Sequence, residues 1–214
     1  MDFKREVKKA RFLDPFNQFN EGGRECEIRK DPLTGRKTRI LFFPVKEIPA
    51  PDIEALVEKT KGFCPFCPEY IEQITPKFLP ELFPHERYRV GAAVCFPNAF
   101  PYDENGAVTV ISERHYIPVS EFTEAILSDA LMCCINYLAD VVKKQPVAAY
   151  QSINWNYMPL AGSSILHPHL QITASSSPTN YYDDLNASAA LTAPGGNIFT
   201  LLIDSERAAG ERFL

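Results

Sequence analysis

Apolar residues recur at helical spacing in one long stretch of the chain. Phe122, Ile126, Leu127, Ala130, Leu131, Cys134, Leu138, Val141 and Val142 follow one broad face and predict a helix over Glu121–Lys144. Ser120 stands where an N-cap is needed, Lys143 and Lys144 complement the negative end of the dipole, and Pro146 stops the helix. Elsewhere the pattern shortens to runs rich in β-branched and aromatic residues. These predict strands at Tyr88–Phe96, Ala107–Ile111, Ala148–Asn154 and Leu166–Ala174, separated by turn-forming segments at 97–102, at Asn105-Gly106 and at 159–164. Asp31-Pro32-Leu33-Thr34-Gly35 before Arg36–Val45 reads as a hairpin. Residues 2–13, with Phe3, Val7, Ala10, Phe12 and Leu13 among cations, suit a short amphipathic helix or an ordered arm.

Hairpins with one long helix across them define an α+β class, an antiparallel sheet with a long packed helix. After Ala174 the chain turns polar, a second helix is expected over Ile198–Ala209, and 210–214 read as the opening of a strand. Residues 1–174 are therefore expected to form one domain. Residues 175–214 are expected to be a linker and the beginning of a second, truncated half.

Composition narrows the setting. With 214 residues, 45% of them hydrophobic and 23% charged, the chain can bury a core and is not a disordered polymer. No uninterrupted apolar run approaches the ~20 residues of a spanning helix, and Met1-Asp2-Phe3-Lys4-Arg5 lacks a signal-peptide core, so a reduced, cytoplasmic setting with no membrane partner is expected. Net charge of −5 argues against nucleic acid as the main partner. Yet 11 of the 22 Lys and Arg residues lie between Lys4 and Arg39, a cluster suited either to a small polyanion or to plain solvation.

The chemistry concentrates at His167-Pro168-His169-Leu170-Gln171. As a strand, this run places His167, His169 and Gln171 on one face, with Pro168 and Leu170 on the other. Cys64-Pro65-Phe66-Cys67 has the spacing of a zinc knuckle, and His115 with His167 would complete a tetrahedral set. A redox pair or free thiols remain alternatives, although the bracketing prolines fit a turn better than a helix opening. Cys133 and Cys134 read as small core residues of the long helix, Cys26 and Cys95 lack informative partners, and His85 reads as a surface loop residue.

Taken together, Ala161-Gly162-Ser163-Ser164-Ile165-Leu166-His167-Pro168-His169-Leu170-Gln171, Asn156 upstream, the Cys64–Cys67 knuckle and His115 resemble the galactose-1-phosphate uridylyltransferase branch of the histidine-triad superfamily, over roughly Glu27–Ala174. The resemblance implies a histidine-triad-like fold and a nucleotidyltransferase of galactose metabolism that moves UMP between UDP-hexose and hexose-1-phosphate. It implies His169 as the nucleophile, Gln171 as its neutral phosphate-binding neighbour, and structural Zn2+ on Cys64, Cys67, His115 and His167. It further implies substrate contacts from Arg29, Asn98, Phe100, Asn156, Ser163 and Ser164. A nucleotide sugar and a sugar-1-phosphate are the implied partners, and a homodimer the implied assembly. An ADP-sugar or dinucleoside-polyphosphate phosphorylase, or a zinc-braced binding module without turnover, are the alternatives. Leu170 stands where the best-known uridylyltransferases have glycine, and Asn154-Trp155-Asn156-Tyr157-Met158-Pro159 differs from their Asn-Lys-Gly run.

Overall fold

The computed structural model describes residues 1, 3–42, 52–192 and 196–210. In chain order these form strands β1 (Arg5–Asp14), β2 (Asn20–Lys30) and β3 (Lys37–Leu41), then helices α1 (Ile53–Lys61) and α2 (Pro68–Ile74). Strands β4 (Tyr88–Val90), β5 (Ala93–Pro97) and β6 (Ala107–Val110) follow, then the long α3 (Glu124–Lys144). Strands β7 (Tyr150–Asn154) and β8 (His169–Ser175) and helices α4 (Asn180–Thr192) and α5 (Ile198–Ala209) complete the order. The elements sort into two compact units, Ala50–Ser177 and Met1–Pro49 with Pro178–Leu214.

The Ala50–Ser177 unit is the α+β layer expected from the pattern. Its five antiparallel strands run in the order β4-β5-β6-β8-β7. The register pairs Val110 with His169 and Val108 with Gln171, so period-2 alternation puts these four on one face of the sheet. The opposite face carries Cys95, Leu170, Ile172 and Ala174. Against it pack Ala130, Cys133, Cys134, Tyr137, Leu138 and Val141 of α3. The two adjacent cysteines are fully buried, and Cys134 Sγ lies 3.2 Å from Thr109 Oγ1, so they behave as small core residues. By length and hydropathy α3 could cross a membrane, but its most buried side belongs to this core. Leu131 and Val142, also apolar, fall outside the buried stripe.

Local chemistry moves several boundaries. The expected Tyr88–Phe96 strand is a hairpin of β4 and β5, because Gly91 takes φ +53° and Val90 pairs with Ala93. The cap of α3 is Thr123, which accepts from the Ile126 amide, rather than Ser120, which lies in a single 3-10 turn at Val119–Glu121. The last strand starts at His169 rather than Leu166. His167 therefore precedes the ladder, and the carbonyl of Pro168 accepts from the Ile111 amide.

In the second unit, β1, β2 and β3 form an antiparallel sheet in that order. Of the segment expected to be a short helix or an ordered arm, residues 5–13 are thus part of a strand. Arg5 through Asp14 pair with Arg29 through Asn20 across a turn in which Gln18 and Phe19 have positive φ, and this hairpin ladder outweighs a weak helical spacing. The hairpin into β3 follows the expected turn at 31–35; its expected end at 43–45 lies outside the described residues, as do 211–214. Helix α5 has the expected bounds, and Leu33, Leu185 and Ile198 form a small core with α4.

A Cβ at Gly91 would stand 2.1 Å from Asp129 Oδ2 of α3, and the positive φ adds strain. Gly91→Ala is expected to lower the unfolding free energy by about 1–2 kcal/mol in urea denaturation. Asp129→Ala in the same background should recover the steric part and leave the backbone part.

Candidate active site and metal-ligand cluster

Four ligand types meet at the start of β8. The turn Cys64–Cys67, closed by the Cys67 amide on the Cys64 carbonyl, presents both thiols to one side before Pro68 opens α2. Cys64 Sγ lies 3.7 Å and Cys67 Sγ 3.6 Å from His167 Nδ1, and Cys67 Sγ lies 3.4 Å from His115 Nδ1. All four donor atoms fall within 4.8 Å of one another. A tetrahedral site with metal–sulfur and metal–nitrogen bonds of about 2.3 and 2.0–2.1 Å has donor–donor edges of about 3.3–3.8 Å, and the three sulfur–nitrogen separations fall within that span. The group can hold a metal ion.

The second nitrogen of each ring reinforces this. His167 Nε2 donates to the Ser112 carbonyl at 2.7 Å, which leaves the Nδ1 lone pair toward the thiols. Burial pushes the Cys67 thiol up to about 12, with the neighbouring Cys64 adding to the shift. A divalent cation among the ligands reverses that logic by stabilising thiolates. Burial also pulls His167 down to about 4, which keeps its imidazole neutral as a ligand must be. His115 is lowered by burial and by Lys61.

His169 is the adjoining piece. Its Nδ1 lies 2.8 Å from the His167 carbonyl, an acceptor only, so Nδ1 carries the proton and Nε2 the lone pair. Burial lowers its pKa, which favours the neutral ring. The rings of Phe66, from the knuckle, and His169 pack in a T shape with centroids 5.1 Å apart. His169 lines a cavity of about 330 Å³ with Gln171, Ser164, Ile165, Asn98 and Phe100, and with Pro65, Phe66, Thr75, Pro76, Phe96 and Val108.

The remaining sequence-derived candidates separate. Asn98 Oδ1 accepts from the Phe100 amide, and this turn sets both on the cavity wall. Ser163 is buried, and its hydroxyl donates to the Ile165 carbonyl at 2.6 Å, while its neighbour Ser164 lines the cavity. Asn156 is exposed beside Gly162 and is absent from the cavity lining. Arg29 belongs to β2 of the other unit, where its guanidinium binds the buried Glu27 carboxylate. Reading the sequence missed Thr60 and the Ser112 carbonyl, which bind the two imidazoles of the cluster, and the aromatic wall of Phe66 and Phe96. Only the central Phe of the knuckle carried a sequence signal for any of them.

The antiparallel sheet, the long helix and the site at the head of β8 place the chain in the α+β, histidine-triad-like fold class. Solved structures agree. The chain superposes on an ADP-glucose phosphorylase from Arabidopsis thaliana, solved with bound ADP-glucose, with a TM-score of 0.53 and 18% identity, over 77% of this chain and 53% of that one. It is similar to a GalT-like protein from Arabidopsis thaliana, with a TM-score of 0.51 and 20% identity over 76% and 51%, and to a uridylyltransferase, with a TM-score of 0.50 and 20% identity over 83% and 55%. The fold is therefore the one these solved structures share. An uncharacterized protein of Archaeoglobus fulgidus is 37% identical over 223 residues, covering all of this chain and 63% of that protein. No protein-family model matches the sequence. The chain spans about half the length of these solved structures and less than two thirds of the archaeal relative.

The loop before Ser163 carries strain that glycine would relieve. Met158 has φ +72° and ψ 157°, while its carbonyl accepts from the Ala161 and Ser163 amides. Such a conformation costs a non-glycine residue roughly 1–3 kcal/mol, more than the roughly 0.5–1 kcal/mol of added unfolded-state freedom that glycine brings. Met158→Gly is expected to raise stability by about 1 kcal/mol on that balance, read as a higher urea midpoint at unchanged slope.

Proposed function

We propose that this chain transfers a nucleotidyl group from a nucleotide sugar through a covalent nucleotidyl-histidine on His169. The observation that carries the reading is the His169 tautomer: Nδ1–H is committed to the His167 carbonyl, so the nucleophilic Nε2 belongs to a ring lining a cavity of nucleotide-fragment size. In this reading Nε2 attacks the α-phosphorus, the bond to the departing sugar phosphate breaks, and sugar-1-phosphate leaves. An acceptor phosphate then displaces the nucleotidyl group, which predicts ping-pong kinetics and retained configuration at phosphorus. Gln171 and Ser164 supply donors to the phosphoryl oxygens, with Asn98 and Phe100 toward the base and ribose. A primary amide moves no proton at neutral pH, so Gln171 holds the phosphoryl group without activating water, and transfer is favoured over hydrolysis.

Cys64, Cys67, His115 and His167 would hold Zn2+ as a structural ion that braces His167. The leading donor is a UDP-hexose, with UMP moved to hexose-1-phosphate. The likeness to an ADP-glucose phosphorylase supports an ADP-sugar as the second candidate. The same reading takes the working protein as a homodimer, with the transferase site in the Ala50–Ser177 unit.

Incubation with α-32P-labelled UDP-glucose or ADP-glucose is expected to leave an acid-labile, alkali-stable adduct on His169. His169→Asn should abolish the adduct and reduce turnover by on the order of 10³-fold or more. Label on another residue, or turnover unchanged in the variant, removes the assignment. Elemental analysis of purified protein should find one zinc per chain, lost in Cys64→Ser and Cys67→Ser.

A further inference from the structure

We infer that Thr60, on the surface helix α1, is a positioning residue for the metal ligand His115, and that metal binding and the docking of α1 are coupled through it. The inference rests on the reading of Cys64, Cys67, His115 and His167 as a zinc site and extends it to a residue outside the ligand set.

Thr60 Oγ1 lies 3.0 Å from His115 Nε2. Its single hydroxyl proton is already committed to the helix backbone, with the Leu56 carbonyl at 2.9 Å and the Val57 carbonyl at 3.2 Å. Carbonyl oxygens cannot donate, so the threonine oxygen faces the imidazole as an acceptor and Nε2 must carry the ring proton. That leaves the Nδ1 lone pair of His115 toward Cys67 Sγ at 3.4 Å. The arrangement repeats that of His167, whose Nε2–H is held by the Ser112 carbonyl while Nδ1 faces both thiols. Both imidazoles are thus set as Nδ1 ligands by an oxygen behind the ring, one from the main chain and one from a side chain.

The side-chain case has a consequence for α1. Asp52 caps this helix by accepting from the Ala55 amide, but no residue of α1 is buried, so little apolar area holds it in place. Its last turn nevertheless sits at the ligands: Thr60 binds His115, and the Lys61 charge acts on both His115 and Cys67. Drawing His115 onto a cation fixes the ring that Thr60 holds, and so fixes the end of α1.

The test uses the whole chain with zinc as the probe. Long-range 1H–15N correlation of the zinc-loaded wild type should show His115 protonated on Nε2 and ligated through Nδ1. Competition with a chromophoric chelator should give Thr60→Val a zinc dissociation constant ten- to a hundredfold higher than wild type. Thr60→Ser, which keeps the acceptor, should restore the wild-type value. Amides of 53–61 should exchange faster without zinc in the wild type, and the difference should shrink in Thr60→Val. A proton on His115 Nδ1 overturns the inference even if the valine variant does not fold. Unchanged zinc affinity in folded Thr60→Val overturns it while leaving the metal site standing. A wild type that takes up no zinc removes the metal reading itself, a separate failure.

Discussion

His167 is the residue through which the site is assembled. Its Nδ1 faces two thiols, its Nε2–H is held by the Ser112 carbonyl, and its own carbonyl takes the Nδ1 proton of His169. One fully buried side chain therefore sets the geometry of the Cys/His cluster, while its main chain sets the tautomer of the neighbouring imidazole. Buried polar groups must find partners, and every polar atom of this residue that the site uses has one. Displacing the ring would take Nε2–H from the Ser112 carbonyl and Nδ1 from both thiols, while the main-chain carbonyl would still face Nδ1 of the ring two positions on.

The sheet makes that arrangement possible. Pairing of Val110 with His169 and of Val108 with Gln171 puts both polar side chains on the face away from α3, among the apolar residues Val94, Phe96, Val108 and Val110. The other face is sealed by the helix through Tyr137, Cys134 and their neighbours. A slip of one residue would send His169 into the helix contact and Leu170 into the cavity, so the buried core enforces the register of the site. The knuckle contributes packing as well as donors, since Phe66 meets Phe96 and His169 edge-on.

Much of this was legible in the chain because local patterns coincide with tertiary roles. The apolar period of 122–142 located the long helix, alternation in His169-Leu170-Gln171 assigned the faces, and the Cys-x-x-Cys spacing picked out half of the Cys/His cluster. Misreadings arose where the deciding partner is a backbone group or a neighbouring residue that the side-chain period does not mark. The helical spacing of Val7, Ala10 and Leu13 yielded to pairing with β2, Ser120 lost the cap to Thr123, and Gly91 divided one strand into two. Ser163, adjacent to the residue that does line the cavity, turned its hydroxyl to the Ile165 carbonyl.

By itself the sequence determined which chemical groups were available and on which face of their strand they would sit, because side-chain type and a two-residue period are local properties. Only the tertiary structure decided which nitrogen of each imidazole is free. A tautomer depends on whichever oxygen stands behind the ring. Here those oxygens come from Thr60, Ser112 and the His167 main chain, two of them backbone atoms that every residue type carries alike and that no pattern of side chains can mark.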